Sequence, residues 1–178
     1  MARLRPAKCH RSIEKRAFTR KSKYKKKSFV RGIPGSKIQI FDMGAKNKKF
    51  PIRVSLYAKE GKVVRHNALE ASRITANKYL SAKVGKENYH FKIKTYPHHV
   101  LREHAIAAGA GADRYSSGMQ KAFGKCVGVA ARIKRGTEIA YVEIDENNIS
   151  YAKECLRKVG HKMPCKTFIE IQNLNEKN

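Results

Sequence analysis

The residues with the most obvious chemical potential in this sequence are bases. Residues 1–31 carry thirteen Lys and Arg side chains against one acid, Glu14. They are Arg3, Arg5, Lys8, Arg11, Lys15, Arg16, Arg20, Lys21, Lys23, Lys25, Lys26, Lys27 and Arg31. A run of like charge is ordinarily a solvated tail. Here Phe18, Tyr24 and Phe29 are interleaved with the bases. Lys and Arg neutralise phosphates and aromatic rings stack on bases, so this composition points to nucleic acid.

Other chemistries come close and fail. His98, His99 and His104 lie near Glu103 and Asp113, from which an acid and a base could be drawn. Nothing in the sequence fixes a partner for any of them, and the simpler reading is that His98 and His99 cap a strand end and hydrogen-bond RNA or backbone. Gly109 and Gly111 begin a dinucleotide-like pattern, but Arg114 stands at its third glycine position. Gly118, Gly124 and Lys125 imitate a phosphate-binding loop, yet five residues separate the glycines and Cys126 replaces the magnesium-binding hydroxyl. Cys9, Cys126, Cys155 and Cys165 form no Cys-x-x-Cys pair, and Cys9 beside His10 has no second ligand pair to join. We therefore expect no catalytic residue, no cofactor and no metal.

The whole chain has 178 residues and a formal charge of +26, which calls for a polyanionic partner. From residue 137 onward there are seven acids and six bases, so the basic field is expected to belong to what precedes. A membrane surface is the other common polyanion, but residues 1–31 lack an apolar face. No apolar run reaches the roughly 18 residues of a spanning helix, and none precedes the arm at the length of about 7 that a secretory signal needs. The expectation is a cytoplasmic protein with no membrane partner.

Elements that would position these residues follow from periodicity. Gly32, Pro34 and Gly35 punctuate the chain, and Ile38 and Ile40 alternate in a strand over 37–41. Ile52, Val54 and Leu56 mark a second strand, with a turn at Gly61. Asn67 and Glu70 resemble a capping box for a helix over 68–84, on which Leu69, Ala76, Leu80 and Val84 share one side and Ile74 falls off it. Phe91, Ile93 and Thr95 alternate with Lys92 and Lys94, giving a strand with a basic outer face. The apolar runs 127–133 and 139–144, separated by Lys134, Arg135 and Gly136, read as a hairpin. Ile149, Ala152, Leu156 and Val159 mark a second helix, and 166–171 a last strand. The result is an α+β class, with two helices packed on a mainly antiparallel sheet.

Residues 103–125 fit no element. Positions 105–112 are almost all Ala and Gly, too little side-chain volume to anchor a core, and a mobile loop is expected there.

Several segments in order resemble a known family. They run from Arg31, Gly32, Ile33, Pro34, Gly35, Ser36 and Lys37 through Phe41, Asp42, Met43 and Gly44. They continue with His66, Asn67, Ala68, Leu69, Glu70 and Ala71, then Tyr89, His90, Phe91, Lys92 and Ile93. The densest block holds His99, Val100, Leu101 and Arg102, residues 109–114, Gly118, Met119, and Ala122, Phe123, Gly124 and Lys125. Together they resemble the archaeal and eukaryotic large-subunit ribosomal protein ten-e family, the counterpart of bacterial large-subunit protein sixteen.

The resemblance implies a hammerhead-like β arrangement and a place near the base of the central protuberance. It also implies contact with large-subunit ribosomal RNA beside the cleft for A-site and P-site tRNA, with neighbouring ribosomal proteins as further partners. The loop at 103–118 would point to the peptidyl-transferase centre, placing Arg102, Gly109, Gly111, Asp113, Arg114 and Gly118 near tRNA. The absence of a long extension after Asn178 leans archaeal. RNA contacts are expected from the arm bases and from Lys92, Lys94, Lys121 and Lys125. The expected organisation is an arm at 1–36, one α+β domain at 37–172 and a polar tail at 173–178. A free-standing RNA chaperone or processing factor would share this chemistry without the permanent assembly.

Overall fold

A computed structural model describes residues 13, 24, 30, 32–103, 110–111 and 124–174. Among these, eight strands and two α-helices alternate: β1 (Asp42–Gly44), β2 (Ile52–Ala58), β3 (Lys62–Arg65), α1 (His66–Lys83), β4 (Tyr89–Ile93), β5 (His99–Glu103), β6 (Lys125–Ile133), β7 (Glu138–Ile144), α2 (Ile149–His161) and β8 (Thr167–Asn173). The strands form a five-stranded sheet in the order β1-β4-β7-β2-β8 and a three-stranded sheet in the order β3-β6-β5. Every pairing is antiparallel, so the α+β class expected from the sequence is the class observed.

Side chains alternate across a strand, so one face of each sheet is available to a core. Val54, Leu56, Phe91, Val142 and Ile144 supply that face of the large sheet, and Val64, Ala131 and Ile133 that of the small one. Leu69, Ala76 and Leu80 of α1 and Ala152, Cys155, Leu156 and Val159 of α2 close the same cluster. Helix α2 lies on β2, β7 and β8, while α1 packs on α2 and on strands of both sheets. The helical faces match their expected periodicity, and Ile74 is exposed.

Three local expectations are corrected, and one element was not expected. The strand expected over 37–41 is not one: Ile38 is 1% exposed and Ile40 55%, so they do not share a buried face, and pairing begins only at Phe41, whose carbonyl accepts from the Ile93 amide at 2.9 Å. The capping box does not form. Helix α1 follows β3 directly, no side chain caps it, and Glu70 instead holds Arg73 at 2.7 Å. The runs around Gly136 do form strands and a turn, but they are not a hairpin. Strand β6 pairs with β3 and β5, whereas β7 pairs with β2 and β4. The turn closes on itself, with the Thr137 amide donating to the Lys134 carbonyl at 3.2 Å, and is also bonded to β2, with the Gly136 amide donating to the Ala58 carbonyl at 2.8 Å and the Ala58 amide to the Thr137 carbonyl at 3.0 Å. The chain thereby changes sheets. Finally, β3 went unread because four residues give too short an alternation to register.

Two glycines separate backbone strain from steric contact. Gly44 and Gly136 both adopt positive φ, +86° and +78°. A Cβ at Gly44 would fall 2.2 Å from the Tyr89 carbonyl oxygen, whereas at Gly136 nothing lies within 4 Å. Gly136→Ala should therefore cost only the left-handed strain, about 1–2 kcal/mol. Gly44→Ala should cost clearly more, because the β1–β4 pairing must shift. Urea unfolding of both variants checks the order; equal losses would contradict it.

Candidate nucleic-acid interface

Both features singled out by sequence, the arm and the small-residue loop, meet the described structure at the three-stranded sheet. Strand β5 pairs with β6 in a register that sets Arg102 opposite Cys126 and Glu103 opposite Lys125, after an irregularity between Leu101 and Arg102. The chain leaves that sheet after Glu103 and rejoins it at Lys125, so both ends of the Gly- and Ala-rich segment are held by one ladder. Lys125 is exposed and Arg102 half-buried. Gly111 is also described; Gly109, Asp113, Arg114, Gly118 and Lys121 lie outside the described residues.

The arm bases Arg3, Arg5, Arg11, Arg16, Arg20, Lys21, Lys23, Lys25, Lys26, Lys27 and Arg31 likewise lie outside them. Two apolar arm residues do not. Ile13 packs on Val63, Leu101 and Ala130, and its carbonyl accepts from Arg132 Nη2 at 3.1 Å. Val30 is buried with Val100 and Val129, flanked by Ile33 and Cys126. Val129 and Ala130 are consecutive in β6, so these two contacts occupy opposite faces of the small sheet. Sequence reading passed over both because each is a single aliphatic residue in a basic run, with no periodicity around it.

The outer face of the five-stranded sheet is not the basic surface expected from Lys92 and Lys94. Cross-strand neighbours set Asp42, Lys92, Tyr141, Ser55 and Glu170 in one row, and His90, Glu143, Arg53 and Gln172 in the next. Lys92 Nζ stands 3.4 Å from Asp42, and Lys94 Nζ 2.6 Å from Glu138, which also accepts from Ser55 Oγ at 2.8 Å. Arg53 pairs with Glu143 and lies over the Tyr141 ring, 4.3 Å from its centroid. His90 is clamped between Asp42 Oδ1 at 2.5 Å and Glu143 Oε2 at 2.7 Å. Arg53, Lys92 and Lys94 thus face the acids Asp42, Glu138, Glu143 and Glu170. Compensation by acids from β1 and β7 was hidden in the sequence because those acids lie about 50 residues from the lysines they meet. Lys92 and Lys94 still expose 42% and 47% of their side chains, so each ammonium is paired with an acid and yet open to solvent.

Burial acts against the carboxylates of Asp42 and Glu143, but hydrogen bonds and charge from His90, with Lys92 at Asp42 and Arg53 at Glu143, outweigh it and hold both pKa values below the ordinary range. Arg53 is held above its ordinary value: desolvation lowers it, and Glu143 more than restores it.

Catalytic alternatives gain no geometry. His99 is buried in β5 opposite Ala130, His98 is exposed with its ring 4.5 Å from that of Tyr96, and His104 lies outside the described residues. Burial raises the Cys155 thiol pKa to about 12, leaving it a packing group. Among the described residues no group of three or more His, Cys, Asp or Glu could hold a metal, and no helix is long and apolar enough to cross a membrane.

Comparison with known proteins extends these observations. The family described as ribosomal protein L16p/L10e matches residues 19–170. Large ribosomal subunit protein uL16 of Archaeoglobus fulgidus is 47% identical over 176 residues, covering 99% of this chain and 97% of that protein. The protein of the same name from Methanococcus maripaludis is 45% identical over 168 residues, covering 93% and 94%. That from Methanosphaerula palustris is 44% identical over 170 residues, covering 96% and 95%.

The lowered carboxylates make a pH prediction. A carboxylate with a depressed native pKa contributes stability that is present above its unfolded value and lost as pH falls through the native one. Folding stability should fall as pH drops below about 4.5, the ordinary Glu value. Glu143→Gln should flatten that dependence and lower stability at pH 7. Denaturant unfolding from pH 7 to pH 3 tests this, and an unchanged acid limb in the variant would refute the network's role.

Proposed function

The chain belongs to the ribosomal protein L16p/L10e family, and from that premise we propose how its residues divide the work of a structural constituent of the large ribosomal subunit. The protein is such a constituent and not an enzyme; it resides in cytoplasmic ribosomes, with ribosomal RNA and neighbouring ribosomal proteins as partners. In our reading, residues 1–36 act as an RNA-binding arm, 37–172 as the folded body and 173–178 as a polar tail. The arm bases displace counterions from phosphates between RNA helices. Lys92, Lys94, Lys121 and Lys125 fix the register of the body on the RNA backbone. A-form RNA hides its major groove, so the recognition is of shape, phosphate and 2′-hydroxyl more than of base sequence.

The segment at 103–118 is read as the part that approaches A-site and P-site tRNA near the catalytic RNA, with Arg102 at its root and Gly109, Gly111, Asp113, Arg114 and Gly118 along it. One observation carries this division of labour: the small sheet that pins Ile13 and Val30 also holds both ends of the loop. A fixed root positions a segment whose own small side chains let its backbone come close to RNA.

Two measurements test the reading. Changing Arg20, Lys21, Lys23, Lys25, Lys26 and Lys27 to Gln keeps Ile13 and Val30 in place, and should lower the slope of log affinity for large-subunit RNA against log salt by about 4–5. An unchanged slope would remove the arm's role. Deleting residues 109–117 should spare subunit assembly and impair tRNA positioning and peptide-bond formation; if both stay normal, the loop has been misassigned.

A further inference from the structure

Charge in the C-terminal quarter cancels in number but not in space. Its early acids Glu138 and Glu143 belong to the sheet network above, whereas Arg157, His161, Lys162 and Lys166 follow one another around the end of α2 and the entry to β8. Three connections meet there. The Lys59 amide donates to the Lys166 carbonyl at 2.8 Å, joining the β2–β3 turn to the start of β8. The Gly136 amide donates to Ala58, joining the β6–β7 turn to the same place. The backbone of Gly61 runs beside Ile133 and Arg135.

The side chains carried to this corner are Lys59, Lys62, Lys134, Arg135, Arg157, Lys162 and Lys166, with His161 among them, and Glu60 and Glu154 are the acids beside them. Glu60 is shared between Lys62 at 3.3 Å and Lys166 at 3.9 Å, and Lys166 remains 80% exposed. Arg157, 3.5 Å from Glu154, remains 64% exposed. Glu138 is close in sequence but neutralised by Lys94. Between α2 and β8 an open groove of about 570 Å³ is lined by Lys59, Arg157, His161, Lys166 and Phe168.

The negative end of the α2 dipole by itself favours cations such as Lys158 and His161. It does not account for Lys59, Lys134 and Arg135, which come from other turns. Seven bases against two acids, from three segments far apart in sequence, make a field that the fold alone does not need.

We propose that this corner is a second RNA-binding surface, which grips the phosphodiester backbone of large-subunit ribosomal RNA independently of the arm. The proposal rests on the ribosomal reading above. A spread of separate cations along a ridge suits a chain of phosphates, each neutralised singly, better than one compact anion. Exposure of Lys134 and Arg135 on a tight turn lets both reach outward without losing a structural contact.

The test uses the full chain and large-subunit RNA transcribed in vitro. The quadruple variant Lys59→Gln, Lys134→Gln, Arg135→Gln, Lys166→Gln should lower the salt slope by about 3, with an unchanged unfolding midpoint. A control, Lys78→Gln, Lys83→Gln, Lys86→Gln, removes charge around the end of α1 that leads into Tyr89, at the opposite end of the large sheet, and should lower it by less than about 1. Lys59, Lys134 and Lys166 should also be protected from acylation in the complex. An unchanged slope in the quadruple variant, or an equal loss in the control, overturns the proposal. So does an unchanged slope combined with loss of an acidic ribosomal protein from reconstituted subunits, which would make the corner a protein contact. The arm variant keeps its own effect in each of these cases, so failure here leaves the ribosomal reading standing.

Discussion

Self-repulsion is the constraint on which the rest of this structure depends. A chain with a formal charge of +26 must fold before or while its polyanionic partner arrives, and each base brought near another raises the free energy of the compact state. The described fold meets this by keeping Lys and Arg out of the apolar cluster altogether. The bases that must lie on the large sheet are set opposite Asp42, Glu138 and Glu143. His90 joins two of these acids and so ties β1, β4 and β7 together on the side away from the helices. Isolated exposed pairs contribute little; a linked, half-buried set on adjacent strands is where such contacts count. The cost is that the lysines of this face add little net positive charge to the field of the molecule.

The change of sheet at Gly136 has the same logic. Had β6 and β7 formed a hairpin, one broad sheet would have offered a single apolar face to two short helices. Passing β6 into a separate sheet lets α1 close against both, so that Val64, Ala131 and Ile133 join the cluster made by Val54, Phe91 and Val142. It also leaves the small sheet with two usable faces near its β5 side, one taken by Val30 and the other by Ile13. That sheet becomes an adaptor between a folded body and two segments of very different chemistry.

Much of this was legible in the sequence where a pattern was long enough. Both helices, the alternation of Ile52, Val54 and Leu56, and the turn at Lys134 to Gly136 follow from periodicity and turn chemistry. What escaped reading depended on partners distant in sequence. Ile38 and Ile40 alternate like a strand, but only Ile38 meets a core. Asn67 and Glu70 have capping-box spacing, but Arg73 competes successfully for the Glu70 carboxylate. Lys92 of β4 and Lys94 just after it look like a basic face until Asp42 and Glu138 are folded onto them. The same limit hid the corner at Lys59, Lys134 and Lys166, since a net count over residues 137–178 cancels charges that the fold separates.

The anchoring of Ile13 and Val30 bears on how the arm proposed above would meet RNA. A wholly free basic segment loses all its conformational freedom on binding, and that loss offsets much of the electrostatic gain. Ile13 and Val30 place two points of the arm on the body, 17 residues apart. Fixing the ends of a segment removes part of its freedom in advance, in the way that loop closure does. The segment between those points is joined at both ends to the small sheet that also holds the root of the loop. A few apolar contacts in a run dominated by charge therefore govern where that charge is presented, although they contribute nothing to the field itself.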